Sequence, residues 1–148
     1  MAIGRLDVNS EGLLLLTTDG KISEFIRSKK IEKEYYVQVD GNITEKAVKK
    51  LRQGVEIGFD GKKYITKHCN CSSINKPNFK NRSQKIRDDR HGPTSWISIT
   101  IKEGKFRQVR KMTAAVGFPT LRLIRVRIGK VLLKVINLGE VKEVKSFV

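Results

Sequence analysis

The chain has 148 residues, enough for one domain with a real hydrophobic core and no need of disulfide or metal staples. Its 31 Lys+Arg against 15 Asp+Glu leave a net charge of +16, which favours a polyanionic partner, nucleic acid ahead of a membrane surface. No long apolar run marks a membrane anchor, Arg5 and Asp7 precede any apolar stretch and so argue against a secretory signal, and two neighbouring cysteines fit a reducing cytoplasm.

The first segment, residues 4–20, reads G-R-L-D-V-N-S-E-G-L-L-L-L-T-T-D-G. Four leucines between Gly-bounded turns predict a strand at 13–16 buried on both faces. The loop before it carries Asp7 with Arg5 two residues away. A carboxylate in such a loop is either a nucleophile or acid/base, or a residue that caps a turn. Lys21 to Ser28 follow as a short helix with Ile22, Phe25 and Ile26 at helical spacing and Asp19 as N-cap.

Residues 31–41 alternate as a half-buried strand, with Tyr35, Val37 and Val39 facing inward. Tyr35 is either a core aromatic with a satisfied hydroxyl or a ring for stacking. A helix is predicted over 42–54, capped by Asn42 or Thr44 and stopped at Gly54, with Ala47, Val48 and Leu51 as its apolar stripe. A strand starts at Val55, residues 59–62 turn, and Tyr64 to Ile74 read as one further strand. That strand contains His68-Cys69-Asn70-Cys71. The spacing is too tight for a structural zinc site and no second pair completes four ligands, so the cysteines read as packed or partly exposed thiols with no metal.

Residues 76–92 carry six Lys/Arg and almost no apolar side chains, a long basic loop that either is solvated or tracks a phosphate backbone. Residues 93–103 restore a strand with Ile97, Ile99 and Ile101 on one face. Residues 106–117 read as a helix with Val109, Met112 and Val116 towards the core and Arg107, Arg110 and Lys111 sharing a face. Three cations at a helix start oppose the macrodipole, which argues against a purely stabilising role. In residues 118–129, Leu121 and Leu123 are expected on the buried side and Arg122, Arg125 and Arg127 mostly outside.

Three segments together resemble the RsuA-type pseudouridine synthases. Residues 4–20 match their G-R-L-D-x-x-[ST]-x-G-L-L-x-L-T-x-D-G signature, Lys33-x-Tyr35-x-Val37 their second motif, and Glu103 to Met112 their E-G-[KR]-x-R-Q-V-R-[RK]-M motif. Residues 116–129 and the tail at 138–144 follow the family pattern as well, and residues 38–41, 93–96 and 117–120 look most like the branch that modifies large-subunit rRNA. Phe106 departs from it, since many relatives carry a polar residue there. The resemblance implies an α+β fold, a mixed, mainly antiparallel sheet with flanking helices, and a cleft where Asp7, Tyr35 and Arg110 meet. Asp7 would be the nucleophile, Tyr35 would stack on an extruded uracil, and Arg110 would hold Asp7 ionised and oriented. Arg5, Lys33, Arg107, Lys111, Arg122 and Arg125 would contact RNA or substrate.

The implied reaction is isomerisation of a specific uridine in ribosomal RNA without cofactor or metal; the cysteine usage points to the cytoplasm, and a monomer is the default expectation where the sequence leaves the oligomeric state open. Relatives carry a strand and a Lys-Pro loop before the first motif, so the catalytic domain spanning 1–148 is expected to lack its N-terminal part and any separate N-terminal RNA-binding domain. The competing reading is a non-catalytic basic RNA-binding or ribosome-assembly protein on the same fold. A structural protein of the ribosome is a third.

Overall fold

A computed structural model of the chain describes residues 2, 6, 10–28, 31–78, 92–105 and 107–133. The basic loop beyond Asn78, the tail at 138–144, Arg5, Asp7 and Phe106 lie outside the described residues.

The frame is a six-stranded sheet. Its strands are β1 (Glu11–Gly12), β2 (Lys33–Asp40), β5 (Asn70–Ile74), β6 (Thr94–Ile101), β7 (Thr120–Ile128) and β8 (Val131–Leu132). The order is β1-β7-β2-β6-β5, with β8 also paired to β7. Among the described residues only β1 runs parallel to its neighbour; the other pairs are antiparallel. A hairpin of β3 (Glu56–Phe59) and β4 (Lys62–Ile65) forms a separate two-stranded sheet. The helices are α1 (Gly20–Arg27), α2 (Glu45–Gln53) and α3 (Gln108–Ala115). This is the mixed, mainly antiparallel α+β architecture that the motifs imply.

The β-branched run of β6 explains the core. Ile97, Ile99 and Ile101 lie on one face with Val37, Val39 and Leu123 of the neighbouring strands. Val48 and Leu51 from α2 and Val109 and Met112 from α3 join the same cluster, so both helices cover this face. Thr44, not Asn42, caps α2 by accepting from the Ala47 N–H. The opposite face holds a smaller cluster of Trp96, Ile124 and Val126.

Four local expectations fail. The leucine run is neither a strand nor buried on both faces: the strand falls at Glu11–Gly12, Leu13 and Leu15 pack with Ile26 and Ile128, and Leu14 and Leu16 are exposed. The helix α1 likewise buries Ile26 and Ser23 but exposes Ile22 and Phe25. Residues 64–74 are not one strand. They split into β4 and β5, in different sheets, because the Thr66 N–H bonds the Val55 carbonyl and the Lys67 N–H turns to the Glu103 carboxylate. Finally, Arg107 does not belong to α3. It stands just before the helix with φ 52° and ψ 33°, in the left-handed region, so it does not share a helical face with Arg110 and Lys111.

Both cysteines are packed. Cys71 is buried, the Cys69 thiol donates to the Leu51 carbonyl at 3.3 Å, and burial pushes the two thiols up to about 12 and about 11.

Candidate active site

The central strands bring the second motif beside the end of the first. Tyr35 on β2 stands opposite Ile99 on β6 and Arg125 on β7, and directly opposed residues point to the same face. Arg125 in turn stands next to Gly12 in the parallel pairing of β1 with β7. The row Tyr35, Arg125, Gly12 therefore crosses the sheet on the face that α3 covers. Tyr35 is half-buried and packs against the core cluster of this face.

Basic side chains hold the segment that follows Asp7. Arg110 of α3 donates from Nη2 to the Ser10 hydroxyl at 3.0 Å. Arg122 grips Glu11 with two parallel bonds, Nε to Oε2 at 2.7 Å and Nη2 to Oε1 at 2.8 Å. Arg125 donates from Nε to the Leu13 carbonyl at 2.8 Å, while its own backbone carbonyl accepts from the Leu13 N–H at 2.9 Å. Between them Gly12, at φ +111°, lies against the β7 backbone so closely that a Cβ would stand 2.2 Å from the Arg125 carbonyl oxygen. Consecutive residues 10 to 13 are thus tied to α3 and β7.

Arg122 and Arg125 are therefore buried, at 9% and 7% exposure, and not outside as their alternation along β7 suggests. A local pattern sees only which strand face a residue occupies; the carboxylate and carbonyl that satisfy these guanidinium groups lie more than 100 residues away in sequence. Arg127 does lie at the margin, paired with Glu34 at 3.0 Å. Among the described residues, no acceptor pairs with Arg125 Nη2, which leaves one buried donor on the Tyr35 face.

Lys33 joins this positive environment. Its Nζ donates to the Ser28 carbonyl at 3.1 Å and the Lys102 carbonyl at 3.3 Å, tying the end of α1 to the end of β6. Burial, reinforced by the Arg125 charge, lowers its ammonium to about 8. The sign of the linkage follows: with a folded value below the ordinary lysine value of about 10.4, the unfolded chain holds more protons between the two. The Lys33 contribution to stability is expected to rise as pH increases from about 8 towards that unfolded value. Urea unfolding of wild type beside Lys33→Met across this range checks it; the stability difference between the two should shift in favour of wild type as pH rises.

Sequence reasoning missed Glu103 as more than the first letter of a motif. Its buried carboxylate accepts from the Tyr64 hydroxyl, from the Lys67 N–H at 2.9 Å and from Gln108 Nε2 at 2.7 Å. Burial alone would raise this carboxyl, but those bonds and the Lys67 charge outweigh it and hold it below the ordinary carboxylate range. The same bond, with burial, pushes the Tyr64 phenol up to about 12. Lys105 lies over the Phe59 and Tyr64 rings at 4.9 and 5.1 Å, and Lys111 donates to the Gly58 carbonyl at 2.9 Å. The β3–β4 hairpin is the clamp that fixes the turn into α3, and with it Arg107 and Arg110. One signal was available: in so basic a chain, an acid embedded in a basic motif is a prime candidate for an internal partner.

Glu103→Gln should cost about 2–3 kcal/mol, since charge-assisted bonds are lost and an amide N–H faces a donor. A carboxylate with a depressed folded value stabilises above its unfolded value and loses that contribution as pH falls through the folded one. The gap between wild type and Glu103→Gln in urea unfolding should therefore be full at neutral pH and shrink below about pH 4.

With the geometry set out, comparison with known proteins decides the family. Residues 1–115 match the model of the RNA pseudouridylate synthase family. The chain belongs to the RNA pseudouridylate synthase family. Among curated relatives of this family, ribosomal large subunit pseudouridine synthase E of Vibrio parahaemolyticus is 43% identical over 97% of this chain and 60% of its own length. The corresponding synthase E of Xanthomonas axonopodis is 42% identical over 86% of the chain and 67% of its own length. Synthase B of Yersinia pestis is 37% identical over 88% of the chain and 36% of its own length. The match to these large-subunit synthases agrees with the segments at 38–41, 93–96 and 117–120, which look most like the branch that modifies large-subunit rRNA. A crystal structure described as a pseudouridylate synthase superposes with a TM-score of 0.67 at 34% identity, over 89% of this chain and 50% of that one. The chain thus spans 60% of the length of the first of these pseudouridine synthases.

Proposed function

We propose that this chain isomerises a uridine of large-subunit ribosomal RNA to pseudouridine, with Asp7 as nucleophile, Tyr35 stacking on the extruded base and Arg110 as the counter-ion of Asp7. The observation that carries the reading is the Arg110–Ser10 hydrogen bond at 3.0 Å, which ties the helix of the third motif to a residue three positions after Asp7. The cation that the family pairs with its aspartate is thereby anchored to the segment of the first motif. Tyr35, through its row with Arg125 and Gly12, belongs to the same neighbourhood.

The chemistry asks little else. The uridine is turned out of the RNA at the cost of a few kcal/mol of stacking, which an aromatic platform and phosphate contacts offset. Asp7 attacks C1′ and the N1–C1′ bond breaks; the uracil rotates, C5 bonds C1′ as the Asp7–C1′ bond breaks and frees the carboxylate, and the C5 proton leaves while N1 takes one up. Bond order and oxidation state balance, so no cofactor or metal is required. Arg5, Lys33, Arg107 and Arg125 are the cations we assign to RNA or substrate, Arg125 through its Nη2. Lys111 and Arg122 already serve Gly58 and Glu11. A net charge of +16 supports the RNA class, as do relatives named for the large ribosomal subunit. We assign residues 1–148 to the catalytic domain, and the enzyme to the cytoplasm as a monomer.

The proposal is tested with large-subunit rRNA labelled with tritium at uracil C5. Each isomerisation replaces the C5–H bond, so tritium released to water is expected at about one equivalent per RNA. Salt-dependent RNA binding without release would instead favour the non-catalytic reading.

A further inference from the structure

The stretch Ser10 to Leu13 has very little backbone pairing to hold it. Its strand β1 is two residues long, and Gly12 at φ +111° departs from strand geometry. Two parallel partners, Glu11 with Ile124 and Gly12 with Arg125, are a weak basis for a register. Beside the single bonds of Ser10 and Leu13, the tie with the most defined geometry in this segment is the bidentate pair of Glu11 with Arg122. The Arg122 side chain is 11% exposed and that of Glu11 29%, so the pair is largely shielded from solvent. Planar guanidinium and carboxylate groups meeting through two bonds define both distance and angle, unlike a single lysine contact.

We propose that the Glu11–Arg122 ion pair is a positioning device: it sets the register of the segment carrying Asp7 against β7, and so serves turnover and not RNA affinity. The inference rests on the assignment of Asp7 as nucleophile. Asp7 lies four residues before Glu11 in the chain. A slip of one residue along a strand displaces a segment by about 3.3 Å, whereas reacting groups must be held to within about 0.5 Å. Arg122 is thereby a positioning residue, and its guanidinium is committed to a protein carboxylate and not to phosphate.

Two observables separate these roles. Single-turnover tritium release reads the chemical step, and the dependence of RNA affinity on salt reads phosphate contacts. Glu11→Gln and Arg122→Gln should each slow single turnover by about 10- to 100-fold, with RNA affinity and its salt slope unchanged. The double variant should be no slower than the singles, because both remove the same interaction. Arg122→Lys should recover part of the rate. Glu11→Gln, the mildest change, guards against misfolding, and melting temperatures accompany every variant. A drop in salt slope of about 0.7–0.9 for Arg122→Gln, with wild-type turnover in Glu11→Gln, would overturn the proposal by making Arg122 an RNA contact. Wild-type rates in both single variants would overturn it too. Absence of release from the wild type itself would remove the nucleophile assignment on which it rests, a separate and recognisable outcome.

Discussion

Asp7→Asn is expected to abolish pseudouridine formation, with single turnover slowed about 10⁴-fold or more, while RNA affinity stays within a few-fold of wild type. Removing a nucleophile takes away the covalent route itself, and losses of this size are what deletion of such groups produces in other enzymes. The amide is nearly isosteric with the carboxylate and carries no charge, so it preserves shape and tests chemistry alone. The expectation for binding follows from charge: the chain keeps all 31 of its Lys+Arg residues in this variant, and the phosphate contacts that dominate affinity are untouched. Filter binding and tritium release on one preparation check both halves. Substantial turnover by Asp7→Asn would move the nucleophile elsewhere.

Gly12→Ala is expected to have the second largest effect, this time on both stability and rate. The added methyl would stand 2.2 Å from the Arg125 carbonyl oxygen and 2.6 Å from its nitrogen, both backbone atoms of a strand fixed on both sides. No rotamer relieves such a contact, and φ +111° adds strain for any L side chain. The segment must move away from β7, giving up the Leu13–Arg125 backbone bond and the ties to Ser10 and Glu11. We expect about 3 kcal/mol of lost stability, or roughly 6–12 °C in melting temperature for a chain of this size. The rate should fall by at least about 100-fold, since a shift of the order of 1 Å suffices for that. Gly20→Ala is the control: nothing lies within 4 Å of its added Cβ, and alanine improves helix propensity at the start of α1.

The contrast between these two glycines shows where sequence is informative. Local signals carried most of the secondary structure. The stripe Ala47, Val48, Leu51 with Thr44 before and Gly54 after specifies α2, and alternation specifies β2 and β6. The three motifs, taken in order, carried the α+β architecture. Local signals failed where the deciding partner is distant. Whether Tyr64 to Ile74 forms one strand or two depends on Glu103, which the Lys67 N–H turns to meet. Arg122 and Arg125 look like solvated positions on an alternating strand until Glu11 and the Leu13 carbonyl arrive from the other end of the chain. The left-handed Arg107 is fixed by the turn that Glu103, Lys105 and Gln108 build around it, which no helical periodicity encodes.

The candidate site divides the same way. Tyr35 and Arg110 were legible as residue types, and the motifs named their roles as expectations. The means by which α3 and β7 hold residues 10 to 13 was not legible, because it uses four different kinds of contact: a hydroxyl, a carboxylate, a carbonyl and a glycine approach. None of the four has a sequence signature by itself. Their common feature is a basic or backbone group of α3 or β7 directed at the segment that follows Asp7.

The most direct measurement of the central claim is to map pseudouridine in unmodified large-subunit rRNA after incubation with this chain, with Asp7→Asn in parallel and no added metal or cofactor. Pseudouridine is expected at a defined uridine with wild type and none with Asp7→Asn, at matched RNA occupancy. Equal modification by the two proteins, or none by wild type on RNA it demonstrably binds, would contradict it.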